Sequence, residues 1–205
     1  MNSAVEHLAM LLRKLPGVGF KRAREMAEFM LKQPSSYRKE LIDAIESLEQ
    51  VRLCKECFYY AEPGNDLCYI CSDDDRDRSV ICVVEDTESV DKIEETGTYN
   101  GLYHVLWSVV DMKKGIMPDP EKVDKLMDRL SKDDVREVIL AMSATTEGEI
   151  TAEYIAQEIR NRGIDVKITT LARGISVGTE INFASPETLA RALEGRVELQ
   201  DDKDY

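Results

Sequence analysis

The sequence lacks any apolar run near the roughly 18 residues that a membrane-spanning helix requires. Its first fifteen residues carry Glu6, His7, Arg13 and Lys14 among short apolar stretches, which is not the pattern of a secretory signal. We therefore expect a soluble, cytoplasmic protein. In that compartment its five cysteines are expected to be metal ligands or buried thiols rather than disulfides.

Two signatures of catalysis are missing as well. The chain has no G-x-x-x-x-G-K-[ST] phosphate loop, which argues against a P-loop ATPase. Its two histidines, His7 and His104, have no evident serine or cysteine partner, so we expect each on the surface or hydrogen-bonded in the core. There is no internal repeat and no low-complexity tract, except for an acidic tail at 200–205 that we expect to be disordered.

The charge is distributed unevenly. The net charge of −13 opposes binding to nucleic acid, but residues 1–40 hold eight Lys and Arg against four acidic residues, which is +4 and leaves −17 for the rest. A basic N-terminal module on an acidic body can bind DNA with one face. The charge alone fits a solvated helix with surplus lysines equally well.

Apolar spacing predicts three helices at the N-terminus: one over 4–15, one with apolar residues at 23, 26, 27, 30 and 31 after the Pro16–Gly19 break, and one over about 36–51. A cysteine-bearing segment (52–72) and a charged connector (73–78) follow. The pattern then alternates between strands (79–84, 102–107, 135–141, 165–170) and helices (88–95, 120–131, 149–162). This alternation predicts an α/β chain with a mainly parallel sheet and helices on both faces. The remainder contains a possible strand at 180–184 and a helix at about 186–194.

Two cysteine pairs, Cys54-x-x-Cys57 and Cys68-x-x-Cys71, form the strongest single motif. Such pairs of thiolates can close a tetrahedral site around Zn²⁺, and because protein would fill every coordination position, the metal would be structural. Two disulfides or a coincidence of spacing are the alternatives. Cys82 lies in an apolar strand and is expected to be a buried small hydrophobe.

Leu15-Pro16-Gly17-Val18-Gly19 between two helices has the form of a helix-hairpin-helix element. Gly17 and Gly19 would let backbone N–H groups approach a phosphate, and the second helix would offer its positive end. Lys21, Arg22 and Arg24 follow at once, where a helix dipole disfavours cations unless an anion binds there. The alternative is a plain interhelical turn.

Three carboxylates follow predicted strands: Glu85, Glu147 and Glu149. The carboxyl ends of parallel strands form a ligand crevice, and clustered carboxylates there could bind Mg²⁺ or a basic partner. However, Thr146-Glu147-Gly148-Glu149 is also a helix capping box, which would give Glu149 a structural role.

The order of these motifs resembles the RecR family of bacterial recombination mediators from about residue 5 to 199. The resemblance is carried by the LPGVG-x-K hairpin, the four cysteines, the strand ending VVE, the string TGTYNGLYHVL (96–106), TEGE (146–149) and LARG (171–174). It implies a helix-hairpin-helix module (1–51), a zinc finger (52–72), a Toprim domain (79–174) and a C-terminal Walker-B-like assembly segment (175–199).

The resemblance also implies a ring-forming homodimer or homotetramer that acts with RecO and RecF to help RecA load on single-stranded DNA. Lys21 matches the family's DNA-contacting lysine. Several positions depart from the family pattern: Phe20 for proline, Glu25 for arginine, Trp107 for glycine, Ser176 for proline, and Asn182 and Ser185 for acidic residues. Arg22, Arg24 or Arg38 could substitute for the missing arginine, and a nucleotide role for the C-terminal segment is not carried over.

The sequence therefore predicts a non-catalytic DNA-binding recombination mediator, with DNA at the hairpin and basic protein partners at the Toprim acids. One alternative is a Mg²⁺-dependent Toprim nuclease or topoisomerase, although Toprim enzymes generally use a DxD pair where this chain has Glu147-Gly148-Glu149. The other is a zinc-stapled protein adaptor that does not bind DNA.

Overall fold

A computed structural model describes residues 3–132, 134–172 and 174–196. The chain divides into two compact units, residues 1–51 and 52–205. The acidic tail expected to be disordered, 200–205, lies outside the described residues. Within the described ranges, we find no helical segment with the length and hydropathy of a membrane span.

The N-terminal unit consists of helices α1 (Ser3–Leu12), α2 (Phe20–Lys32) and α3 (Ser35–Ser47). Its core is small, because the buried residues are Ala9, Ala23 and Ala27, with apolar side chains of the hairpin packed around them. The predicted helix 36–51 ends early, since the last turn tightens into a 3₁₀ helix at Leu48–Gln50. There the Ser47 hydroxyl donates to Ala44 O at 2.7 Å, a local bond that competes with the helical ladder.

The second unit is built on a parallel sheet of four strands in the order β2-β1-β3-β4. The strands are β1 (Asp77–Val84), β2 (Gly101–Val105), β3 (Glu137–Ala141) and β4 (Lys167–Thr170). Helices α4 (Thr87–Glu94), α5 (Pro120–Lys132) and α6 (Thr146–Asn161) connect them. The predicted α/β alternation is confirmed.

Both faces of the sheet are covered. Consecutive residues of β1, from Ile81 to Val84, are all buried, which requires cover on each side of the strand. Helices α5 and α6 contact each other and share a face. The β1–α4–β2 connection runs the opposite way along the sheet, so right-handed crossovers place α4 on the other face.

The cysteine-bearing segment packs against the edge of the sheet. Val105 of the edge strand β2 donates its amide to Cys57 O at 2.8 Å, so the segment satisfies a backbone group that the sheet leaves open. The four buried cysteines belong to the same hydrophobic core as Ile81 and Leu102. Segment and sheet therefore stabilise each other.

The predicted strand at 180–184 is wrong. Residues Ile181–Phe183 form a 3₁₀ turn, and the sheet of the described chain ends at β4. A short apolar stretch becomes a strand only where a neighbour pairs with its backbone, and no strand among the described residues pairs with this one. The predicted helix 186–194 is α7 (Pro186–Glu194), which begins where Ser185 accepts a hydrogen bond from Thr188 N.

We expect Ile155→Ala to lower the free energy of unfolding of this unit by about 2–5 kcal/mol, because it opens a cavity under α6, where Ile155 is fully buried. Ile150→Ala is the matched control on the same helix, since that side chain is exposed and should change stability by less than about 1 kcal/mol. Urea unfolding followed by the fluorescence of Trp107, the chain's single tryptophan, measures both variants. Equal losses would contradict the assigned core.

Candidate metal, DNA and partner sites

The four cysteines of the two pairs converge on one buried point. The Sγ atoms of Cys54, Cys57, Cys68 and Cys71 all lie within 4.8 Å of one another. Each pair sits on a tight turn, closed by Phe58 N to Cys54 O (2.9 Å) and by Ser72 N to Cys68 O (3.0 Å). In each pair, the turn directs both sulfurs to the same side. The two C-x-x-C pairs of the sequence therefore form one cage of four sulfurs.

The donor chemistry of this cage fits a divalent, thiolate-binding metal. Backbone amides reinforce the sulfurs, with Tyr59 N donating to Cys57 Sγ at 3.5 Å and Cys71 N donating to Cys68 Sγ at 3.4 Å. Without a metal, neighbouring sulfurs must share protons. Hydrogen bonding with Cys57 lowers the pKa of Cys54, and the same bond raises the pKa of Cys57. A divalent cation would let all four sulfurs ionise together.

The remaining cysteine and the histidines take the structural places expected of them. Cys82 is buried in β1, and burial raises the pKa of its thiol to about 12. His7 is exposed on α1. His104 is fully buried, its Nε2 lies 2.9 Å from Lys122 O, and burial lowers its pKa to about 3, which keeps the ring neutral. The geometry gives neither histidine a nucleophile to activate.

The hairpin between α1 and α2 has the backbone of an open anion site. Gly17 has φ +72°, which favours glycine, and Gly19 is the extended residue that precedes α2. No side chain caps α2, and the first bond of its ladder runs from Ala23 N to Gly19 O at 2.9 Å. The N–H groups at the start of α2 are thus outside the helical ladder. A Cβ on Gly19 would meet nothing within 4 Å, so the protein's own packing does not require glycine there.

The basic side chains of the hairpin are partly neutralised by acids one helical turn later. Lys21 lies 4.0 Å from Glu25 and Arg24 lies 3.1 Å from Glu28, all of them exposed. Arg22 is exposed as well, beside them on the first turns of α2. Exposed ion pairs of this kind are typically worth less than about 1 kcal/mol. Either cation would therefore readily exchange its carboxylate partner for a phosphate.

Arg38, one of the arginines considered as a substitute DNA ligand, makes backbone contacts within the N-terminal unit. Its guanidinium donates to carbonyls at the end of α2, to Met30 O at 3.4 Å and also to Gln33 O. A cation there satisfies the last carbonyls and complements the negative end of the helix. Arg38 therefore has a structural role.

Glu85 follows β1 and joins two strand ends. Its carboxylate accepts from Ser143 N at 2.7 Å and from Ser143 Oγ at 2.9 Å, in the loop after β3. A Cβ on Gly148 would lie 2.2 Å from Ser143 O and 3.0 Å from Glu85 Oε1, so only glycine lets α6 begin this close to the loop. Ser143 and Gly148 are site residues that the sequence did not single out.

Glu149 is held by the last helix rather than by a capping box. The residue that caps α6 is Thr145, which accepts from Gly148 N at 3.1 Å, so the predicted box starting at Thr146 is wrong by one residue. Glu149 instead accepts from Arg191 of α7, which also pairs with Glu187 at 3.1 Å. Arg191 gave no signal in the sequence, because folding alone brings it to a residue 42 positions away.

Glu147 lines a cavity of about 660 Å³ between the start of α6 and α7, together with Glu149 and Arg191. The three candidate carboxylates do not converge as the cysteines do. Over residues 3–132, 134–172 and 174–196, the four cysteines are the one group of three or more potential ligands within 4.8 Å of each other. The acids thus form a polar edge of the sheet rather than a closed metal cage.

Comparison with known proteins identifies this architecture. A family model described as a Toprim domain matches residues 79–170. Recombination protein RecR of Chlorobaculum tepidum is 44% identical over 199 residues, which cover 95% of this chain and 97% of that protein. RecR of Tropheryma whipplei is 42% identical over 193 residues (94% and 96% covered), and RecR of Bifidobacterium longum is 40% identical over 198 residues (96% and 97%). Together with the parallel sheet, the four-cysteine cluster and the helical N-terminus, these matches show that the chain belongs to the RecR family of recombination proteins.

Proposed function

We propose that this protein is a non-catalytic mediator of recombinational DNA repair. In this role it binds DNA through the hairpin of its N-terminal unit and acts with RecO and RecF to help RecA load on single-stranded DNA at gaps. It works as a ring-forming homodimer or homotetramer, with 175–199 as an assembly segment. The observation that carries the DNA-binding part is the open start of α2, which presents uncapped amides beside Lys21 and Arg22.

The physical case for DNA rests on a local excess of positive charge. The first forty residues carry +4 although the whole chain carries −13. Amides at a helix start bind phosphate without reading bases, and cations beside them are stabilised when an anion arrives. The mode of binding is therefore independent of sequence, and the acidic remainder of the chain repels the phosphates.

In this proposal, the second unit binds partner proteins and does not catalyse a reaction. The finger (52–72) holds one structural Zn²⁺ in Cys54, Cys57, Cys68 and Cys71, and all its coordination positions are filled by protein. Glu85 and Glu147 offer negative charge to a basic protein surface. Glu85 accepts a hydrogen bond from Ser143, and Glu149 accepts one from Arg191. Because these bonds engage their carboxylates, the two acids are poorly placed to hold Mg²⁺ for cleavage.

We first expect the cysteine cage to contain zinc. Protein purified without chelator should contain one zinc per chain by elemental analysis, because the four thiolates form a closed tetrahedral set. Cys68→Ser combined with Cys71→Ser should abolish zinc and lower the melting temperature, since the finger shares its core with the sheet. Cys82→Ser is the control that should retain the metal. Full zinc retention in the double variant would refute the assignment.

We next expect the hairpin to bind DNA. Lys21→Ala should weaken binding of any DNA sequence and reduce the slope of log affinity against log salt by about one, because one phosphate contact is lost. Glu25→Arg should raise affinity at low salt by up to about tenfold, since it removes the acid that lies 4.0 Å from Lys21 and adds a cation. Fluorescence anisotropy across a salt series measures all three proteins.

Glu46→Arg on α3 is the matched control, because it makes the same change in net charge away from the hairpin. It should raise affinity much less than Glu25→Arg does. If the parent and all the variants had the same affinity and salt slope, the hairpin would be only a turn, and the zinc-stapled adaptor would become the better assignment.

Finally, we expect Glu85 and Glu147 to contribute to partner binding and not to DNA binding. Glu85→Gln with Glu147→Gln should leave DNA binding intact and weaken binding to RecO of the same organism, measured by calorimetry. Glu121→Gln with Glu153→Gln removes equal charge from α5 and α6 and serves as control. A plasmid-nicking assay with Mg²⁺ or Mn²⁺ completes the test: metal-dependent cleavage that the Glu85 and Glu147 variant loses would overturn the non-catalytic assignment.

A further inference from the structure

An exposed band of four aromatic rings runs across the junction of the finger and the sheet, directly beside the cysteine cage. We call it the aromatic band and define it as Tyr69, Tyr59, Tyr60 and Trp107. Neighbouring ring centroids are 6.0 Å apart for Tyr59 and Tyr69, 5.4 Å for Tyr59 and Tyr60, and 5.8 Å for Tyr60 and Trp107. Tyr60 and Tyr69 are each 43% exposed and Trp107 is 40% exposed, so three of the rings offer surface to a partner.

The backbone holds this band in place at a conformational cost. Phe58 (φ 62°) and Trp107 (φ 64°) are the two non-glycine residues of the described chain with positive φ. They are joined directly, because the Trp107 indole N–H donates to Phe58 O at 2.7 Å. Strained conformations of bulky residues persist where the surrounding structure enforces them, and they concentrate at functional sites. Here the strain fixes a large ring at the surface rather than in the core.

A carboxylate borders the band. The hydroxyl of Tyr59 donates to Asp91 Oδ1 at 2.6 Å, and Thr87 Oγ1 donates to the hydroxyl of Tyr60 at 3.4 Å. The face of α4 that carries Thr87 and Asp91 therefore lies along the rings. The cation near Tyr69, Arg76, is already paired, with Asp73 at 3.6 Å and with Glu94.

Rings bordered by a carboxylate favour a cationic occupant. A guanidinium stacks on tyrosine and tryptophan faces and can donate at the same time to a carboxylate such as Asp91. Bases could stack on the same rings, but the phosphates that accompany them would meet Asp91. We propose that the aromatic band, with Asp91 at its edge, is a docking site for an arginine side chain of a partner protein.

The zinc-loaded full-length protein allows a direct test by nuclear magnetic resonance. Trp107 is the single tryptophan, so its indole N–H gives one signal, and that signal lies inside the band. The probe is a blocked glycine pentapeptide with one central arginine, added to millimolar concentrations. Its match is the same peptide with citrulline, which keeps the planar shape without the charge. The indole signal should move saturably with the arginine peptide and at least about tenfold more weakly with citrulline.

Variants separate docking from a merely structural role of the rings. Tyr60→Ala should weaken binding of the arginine peptide by about threefold to tenfold, and Tyr60→Phe should preserve it, because the ring face is what stacks. Asp91→Asn should weaken binding while still accepting the Tyr59 hydrogen bond, so it tests the site even if Tyr60→Ala folds poorly. Tyr37→Ala, which changes an exposed tyrosine of the N-terminal unit, is the control.

Three results would overturn the proposal: an indole signal that the arginine peptide does not move, an equal response to citrulline, or no effect of Asp91→Asn. An oligothymidylate added instead should leave the signal in place. A response to it that Tyr60→Ala abolishes would make the band a base-stacking surface and would also overturn arginine docking. DNA anisotropy at the hairpin is measured separately, so failure here and failure of the proposed DNA binding are distinguishable.

Discussion

The crowding of four sulfur atoms in one buried volume constrains much of the second unit. As thiols, Cys54 and Cys57 compete for protons, whereas a divalent cation would stabilise all four as thiolates. The turn that presents Cys57 also directs its carbonyl to Val105 N, which closes the edge of the sheet. The next residues, Phe58 to Tyr60, hold Trp107 and begin the aromatic band. Sulfur cage, sheet edge and band are consequently one continuous structure.

Charge is distributed unevenly along the chain, although the N-terminal unit as a whole (1–51) carries eight Lys and Arg against seven acidic residues, a net charge of +1. The first forty residues carry +4, and the rest of the chain is strongly acidic within a total of −13. In the proposed function, the start of α2 would attract a polyanion and the acids at the edge of the sheet would repel it, whereas those acids would attract a basic protein. In that proposal, the weak ion pairs of Lys21 and Arg24 with acids on the same helix would moderate the attraction of DNA without abolishing it.

Several acids serve the fold before they serve any partner. Glu85 ties the end of β1 to the loop after β3, and Glu149 ties α6 to α7 through Arg191. Such bonds align the carboxylates at the edge of the sheet and draw them away from a common point. Positive φ at Phe58 and Trp107 costs on the order of 1–3 kcal/mol each, and the indole hydrogen bond offsets part of that cost.

The sequence by itself determined the parallel α/β unit, the hairpin and the cysteine cage, because periodicity, the PGVG break and the two C-x-x-C pairs act over a few residues. Tertiary structure decided what depends on distant neighbours. Residues 181–183 formed a turn because the sheet ends at β4, and Arg38 was drawn to the end of α2. Arg191 reached Glu149, and Trp107 met Tyr60 and Phe58, across tens of residues. No local pattern encodes such pairings, since only packing sets the distance between residues far apart in the chain.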